Sequence, residues 1–351
     1  MNPLIDITNS RHNPMIDPVF RVWEWQIPVY LFLGGLVAGL MIIAGVRLLA
    51  VRPKQRQAMI CCTIGPILGL IGLSLGMFTL FLDLGHKLYV WRLYLTFQIT
   101  SPMSWGSWIL LLVYPALTAN ALTHLPEALP AVAKRFPVLT RISDAILARP
   151  RLVIVIGLAN MLVGIALGIY TGILLSTLGG RPLWNSALLG PLFLFSGLST
   201  AAALLHGILV LSIPEKDQPE FVDFLISSFR RVAQSKPPDP KVAPVLAGAD
   251  NSFLTIEFAI LCLVLIGHMS SSASHQYAAS LLLTGEWAAP FWVLVIGMGI
   301  VIPLILQTLE LFHRIRHTIA PSLLVLFGGL ALRFILVYAG QDSHWLQTLN
   351  Q

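Results

Sequence analysis

The chain has 351 residues, of which 56% are hydrophobic and only 11% charged, with a formal net charge of +6 and a mean hydropathy of +0.80. No single soluble core hides that much apolar surface, so the bilayer is the expected solvent, and a soluble globular or nucleic-acid-binding protein is excluded. The three cysteines, Cys61, Cys62 and Cys262, form no CxxC or longer thiolate pattern, so the chain is expected to hold no iron–sulfur cluster and no disulfide.

The expected fold class is an all-α integral membrane protein of eight transmembrane helices, arranged as two four-helix bundles. Residues 1–27 are polar and lack the short apolar stretch of a secretory signal. The first span is therefore expected to act as an uncleaved anchor. In chain order the spans are expected at Pro28–Ala50, Ala58–Leu82, Met103–Thr123, Arg151–Leu178, Ala187–Ile213, Phe253–Ser274, Pro290–Phe312 and Ile319–Gly340. This divides the chain into a segment 1–27, a five-span membrane region 28–213, a loop 214–250, a three-span region 251–340 and a tail 341–351. In the loop, "EFVDFLISSFRRV" at 220–232 reads either as an amphipathic interfacial helix or as an ordinary solvated connector.

Charge sets the expected orientation. Arg47, Arg52, Lys54 and Arg56 follow the first span, and Lys134, Arg135, Arg141, Arg149 and Arg151 follow the third. Lys216, Arg230, Arg231, Lys236 and Lys241 follow the fifth, and Arg314 and Arg316 the seventh. The opposite loops carry only Arg11, Arg21, Lys87, Arg92 and Arg181. Positive loops stay inside, so both termini are expected in the periplasm of a bacterial inner membrane.

Ionisable groups in or beside hydrocarbon cost on the order of 3 kcal/mol at mid-helix, which makes them the best functional signal. The densest polar set lies at the outer ends of the first four spans. Tyr30 opens the first span, Asp83 and His86 close the second, and Tyr170 lies in the outer third of the fourth. Ser101, Ser104, Trp105 and Trp108 have the spacing of one helix face. Asp83 and His86 share a face if the second helix continues that far. Phenols, an imidazole and a carboxylate at one depth suit a quinone head group, whose carbonyls need donors and whose redox change moves two protons. The same residues also suit an interfacial aromatic belt, with Asp83 paired to Lys87.

Several longer stretches sharpen this reading. They are "WEWQIPVYLFLGGLVAG", "LFLDLGHKLYVWRLYLTFQITSPMSWGSWIL", "GIYTGILL" followed by "RPLWNSALLGPLFLFSGLSTAAALLH", "TGEWAAPFW" and "GGLALRFILVYAGQ". Together, from about Trp23 to Gln341, the chain resembles the NrfD-type family, the membrane subunits of polysulfide reductase and its relatives. The resemblance implies a quinone-interacting (menaquinone or ubiquinone) membrane subunit of a respiratory oxidoreductase. Its partners would be a periplasmic four-cluster-type iron–sulfur subunit and a molybdopterin catalytic subunit, or a hydrogenase or multihaem cytochrome. It places the quinone pocket in the first four helices. A histidine implicated in one relative falls at Tyr30, and a neighbouring asparagine falls at Ile27, where this sequence departs. His86 falls where related anchor subunits place a histidine linked to menaquinol, Tyr170 matches a pocket tyrosine, and Asp83 belongs to the DLG motif.

His206 and His268 are the histidines deepest in apolar runs, but about 15 Å of helix rise separates them, so they are not expected to ligate one haem. Glu257 and Glu310, with His206, form a possible proton path from the cytoplasm. The plainer expectation is that Glu310 reaches to the interface and Glu257 pairs locally. Arg333 is deep in the last span and needs a partner that sequence alone does not name. Two other function classes fit the composition. A secondary transporter would use helix breaks at Gly34–Gly35, Pro66, Pro191 or Pro303. A purely structural anchor would need no redox site, and co-purified quinone separates it from the first reading. The charge alternation predicts that a reporter fused at the C-terminus is active only when periplasmic; activity only on the cytoplasmic side means that a span has been miscounted.

Overall fold

A computed structural model describes residues 23–50, 60–212, 242–312, 314 and 318–345. The 220–232 segment and most of the basic 214–241 loop lie outside the described residues, as do Arg11, Arg21, Arg52, Lys54, Arg56 and Arg316. Among the described residues, eight helices are long and apolar enough to cross a membrane. They are α1 (Gln26–Ala50), α2 (Ile60–Asp83), α3 (Pro102–Ala128), α4 (Pro150–Ser176), α5 (Leu189–Ser212), α6 (Val242–Met269), α7 (Ala288–Leu311) and α8 (Ala320–Asp342). Prolines mark several starts. Ser101 and Arg149 are extended and are followed at once by Pro102 and Pro150, whose missing N–H is harmless in a first turn.

The expected breaks turn out differently. α1 and α2 run unbroken through Gly34–Gly35 and Pro66, and Pro191 lies in the first turn of α5. Only Pro303 leaves a mark, because α7 is π-helical over Phe291–Val301 just before it. A proline ring clashes with the carbonyl four residues back, and a wider turn there relieves the clash. The largest boundary correction is in α6. It begins at Val242 rather than Phe253, which brings Asp250 into the span.

α1 to α4 form one closed four-helix ring and α5 to α8 a second, each helix touching its two ring neighbours. The seam between rings is made by α1 and α4 against α5, and by α1 against α8. α1 and α5 bury 67% of their most apolar stretch and α6 and α7 only 28%, so the seam helices are the centre and α6 and α7 face lipid. At the seam two backbones touch. A Cβ on Gly39 would lie 2.2 Å from the Gly197 carbonyl oxygen, and one on Gly197 would lie 2.4 Å from that of Gly35. In lipid, where apolar side chains gain little from leaving solvent, such close contact is a main source of helix association.

One face of the molecule carries the start of α1 and the end of α8, joined by Trp23 N–H to Gln341 Oε1 and Gln341 Nε2 to the Trp23 carbonyl, both 2.9 Å. We refer to it as the terminal face. The opposite, basic face carries the short helices Pro130–Arg135 and Pro137–Leu147, pinned to α3 by Ser143 Oγ donating to the Thr123 carbonyl at 2.8 Å.

Replacing Gly39 by Leu should cost about 1–3 kcal/mol or more through overpacking, lowering the thermal midpoint in detergent. Gly267→Ala, on α6 with nothing within 4 Å of the added carbon, should leave that midpoint unchanged or slightly raised. Equal midpoints for the two variants would mean that the seam is not a tight contact.

Candidate functional site

The first ring gathers hydroxyl groups near the terminal face. Tyr30 is one turn into α1, about 6 Å along its axis. It is 4% exposed, and its ring lies against Gly76 of α2. Tyr170 of α4 reaches it, and the two phenols share a hydrogen bond. Tyr170 can lie there only because position 106 of α3 is glycine, since a Cβ would fall 1.8 Å from its ring carbon Cζ. Tyr94, on the short helix Arg92–Leu95, adds a third phenol in electrostatic reach of Tyr30. Burial, with Tyr114 beside it, pushes the Tyr94 hydroxyl above the usual tyrosine range, so it remains a neutral donor. Tyr114 Oη and Ser74 Oγ approach to 3.5 Å deeper in the same ring.

The α2–α3 connection covers this cluster and is fastened to α3. Ser104 Oγ accepts from Gln98 N–H at 2.9 Å and donates to the Thr96 carbonyl at 3.2 Å. Trp105 Nε1 donates to the Ile99 carbonyl at 2.7 Å, and Ser107 Oγ to the Leu93 carbonyl at 2.9 Å. Trp105 thus acts here as a latch on the loop. Ser101 is the residue preceding α3 and makes no side-chain cap bond. The outer surface of the connection is apolar, with Leu88 88%, Leu95 74% and Ile99 70% exposed beside Tyr89, Trp91 and Phe97.

Of the sequence-derived site residues, the structure joins Tyr30 and Tyr170 directly. Asp83 is the last residue of α2, half-buried and in electrostatic reach of Glu24. α2 ends there, so Asp83 and His86 do not share a helix face. His86 is exposed and stands edge-on to Tyr89, with ring centroids 6.5 Å apart. Tyr94 and Gly106 escaped attention in the sequence because neither belongs to a periodic pattern. Both lie inside the connecting "RLYLTFQITSPMSWG" stretch, whose unusual density of aromatic and hydroxyl residues was the available signal.

The second ring holds the remaining ionisable groups. Arg333 is buried on α8, and its guanidinium donates to Ser196 Oγ and to the Phe193 and Gly329 carbonyls and stacks on the Phe193 ring. Glu257 of α6 supplies the opposing charge. With α6 starting earlier, Glu257 sits near mid-span rather than toward the inner end. Glu310 does not reach out to the interface as expected. It is fully buried, and its Oε1 accepts from Thr318 N–H at 2.9 Å and Thr318 Oγ1 at 3.2 Å. His206 Nδ1 is 3.3 Å from Ser322 Oγ. Asp250, missed by the sequence reading, accepts from Ser199 Oγ at 2.8 Å and from Gln307 Nε2. Its signal was the 3–4 spacing of Ala247, Asp250, Leu254, Glu257 and Leu261, all buried on one stripe.

His268, the other buried histidine, fastens the terminal face, its Nε2 lying 3.2 and 3.1 Å from the Pro182 and Leu183 carbonyls. Among the described residues, no group of three or more His, Cys, Asp or Glu is placed to hold a metal ion.

The chain is similar along its length to known proteins. The family described as "Polysulphide reductase, NrfD" matches residues 11–343. The C subunit of polysulfide reductase from Wolinella succinogenes is 30% identical over 329 residues, an alignment that takes in 91% of this protein and 94% of that one. Protein NrfD of Escherichia coli is 29% identical over 328 residues, covering 91% and 95%. An NrfD homologue of Haemophilus influenzae is 26% identical over 324 residues, covering 91% and 94%. With a family match over nearly its whole length and eight apolar helices to carry it, this chain belongs to the NrfD family of multi-pass membrane proteins.

Proposed function

We propose that this NrfD-family membrane subunit of a respiratory oxidoreductase binds quinone in its first helical ring and exchanges electrons with an iron–sulfur subunit at the terminal face. The observation that carries the reading is the Tyr30–Tyr170 phenol pair, buried near the terminal end of α1 and α4 and capped by a loop whose outer surface is apolar. A bound quinone would supply two-electron, two-proton chemistry. The donor set fits it, because phenols donate to carbonyl oxygens and the glycines at 76 and 106 leave room for flat rings.

Each residue has a distinct task in this account. Tyr30 and Tyr170 orient the head group, and Tyr94 closes the pocket from the loop side. Asp83 and His86, nearer the surface, hold and pass on the protons, since an imidazole titrates near neutral pH. Ser101 and Trp105 keep the loop in register. The cysteines form no cluster-ligating pattern, so electrons must leave to another subunit. The exposed leucines and aromatic residues of 88–99 are the kind of apolar patch that a partner covers. The relatives named as a polysulfide reductase subunit and as NrfD proteins support a partner of the molybdopterin or multihaem class. The terminal face is then periplasmic, as the basic loops require.

The test is quinol-linked turnover of the complex from native membranes. Tyr30→Phe removes one donor without changing shape, and His86→Ala removes the surface imidazole. Each should slow quinol oxidation or weaken quinone binding by about one to two decades, the worth of a hydrogen bond to a reacting group at roughly 1.5–3 kcal/mol. Dye-linked activity of the partner subunits should be unaffected. Normal assembly with wild-type quinol kinetics in both variants would place the pocket elsewhere.

A further inference from the structure

The quinone reading leaves the ionisable groups of the second ring without a task. They form a file. From the basic face inward it begins with Glu310, held by Thr318, and His206, beside Ser322. Asp250 comes next, about 12 Å along α6, and then the Glu257–Arg333 pair, Glu257 lying about 22 Å along the same helix. The four helices of the ring each contribute, and each of these side chains is almost wholly buried.

Two observations set Asp250 apart. Glu257 faces the fixed cation Arg333, so a proton on Glu257 would strand a buried charge. The hydrogen-bond donors to Asp250, from Ser199 and Gln307, are neutral. Asp250 can therefore gain or lose a proton without breaking an ion pair. The second observation is that two polar atoms along the file have no hydrogen-bond partner among the described residues. They are Gln307 Oε1, next to Asp250, and Arg333 Nε, at the inner end. Both belong to residues at most 1% exposed. Buried polar atoms of this kind are satisfied by water, and a water there would touch the file at both points.

Beyond Arg333 the ring is closed. Leu192, Phe193, Phe291, Val295, Leu332 and Leu336 fill its terminal half. Above them, Trp184 stacks on Trp23 at 5.2 Å and donates to the Leu336 carbonyl at 2.7 Å. Trp287 Nε1 bonds Asp342 at 2.9 Å, and Arg181 bonds the Ser343 carbonyl at 2.9 Å.

We propose that the basic-face half of the second ring is a proton half-channel: Asp250 takes up and releases a proton exchanged with water at the basic face by way of His206 and Glu310, and the path ends at the Glu257–Arg333 pair. The proton comes from water or hydronium on that side and returns to it, so no electron or co-reactant is involved. The groups facing Asp250 are Glu257 on its own helix, His206 on α5, Glu310 on α7 and Arg333 on α8. The half-channel ends beside Gly35 of α1, where a Cβ would lie 3.1 Å from Arg333 Nη2, so a change of charge in the file is felt at the seam of the two rings.

The experiment is infrared difference spectroscopy on sealed proteoliposomes holding the full-length protein in one orientation, with a pH step applied on one side only. An acid step at the basic face should produce a protonated-carboxyl stretching band that is missing in Asp250→Asn and retained in Glu257→Gln. A step at the terminal face should not produce it. If Asp250→Asn fails to assemble, Asp250→Glu keeps the carboxyl and should shift the band instead of removing it. A band unchanged by either Asp250 variant, or one that follows the terminal-face step, overturns the proposal. No quinol is turned over in this measurement, so its failure leaves the quinone reading standing, and the reverse also holds.

Discussion

The crossing of α1 over α5 is the contact on which the arrangement depends. Gly35 and Gly39 meet Gly197 backbone to backbone, and no larger side chain fits there. Hydrocarbon offers apolar helices little reason to separate from lipid, so two four-helix rings stay joined only if their backbones can approach closely. The same crossing solves an electrostatic problem. An arginine in mid-membrane needs its donors and its charge satisfied within the protein. Arg333 lies beside Gly35, donates to α5 carbonyls and to Ser196, and faces Glu257. Four helices from both rings therefore converge on one cation, and the seam is specified by polar contacts as well as by shape.

The two rings then differ in which end is closed. Over the first, the terminal face presents a thin loop with an apolar exterior and phenols beneath it. Over the second, the same face is sealed by tryptophans and by Gln341, Arg181 and His268 bonded to backbone groups. The second ring is instead polar toward the basic face. Groups that exchange protons are thus distributed to opposite sides of the membrane in adjacent halves of one protein, with Arg333 and Gly35 between them. Physical separation of this kind keeps protons released at one surface from short-circuiting to the other.

Much of this was legible in the sequence because the bilayer imposes a length and a polarity that composition cannot disguise. All eight spans were visible, and Pro102 and Pro150 open two of them. The placement of Tyr30 and Tyr170 at one depth followed from counting residues inward from span ends. Asp250 was lost because hydropathy treats an aspartate near a span end as loop, whereas helical periodicity across Ala247–Leu261 shows it on the buried stripe. Glu310 was misjudged for a related reason. A carboxylate one turn from a span end can reach water, but here Thr318 folds back and caps it. The partner of Arg333 was beyond reach, since Glu257 and Ser196 are distant in sequence and only the ring closure of α5, α6 and α8 unites them. Whether α2 carries on from Asp83 to His86 depended on a helix end, which local sequence specifies poorly.

The central claim is that quinone binds within the first ring, below the α2–α3 loop. Photolabelling the native complex with an azido-substituted quinone and mapping the modified peptides tests it most directly. The account predicts adducts on α1 near Tyr30, on α4 near Tyr170 and on the Arg92–Leu95 segment, all suppressed by excess unlabelled quinone. Competable adducts confined to α6 and α7, the lipid-facing side of the second ring, would contradict it.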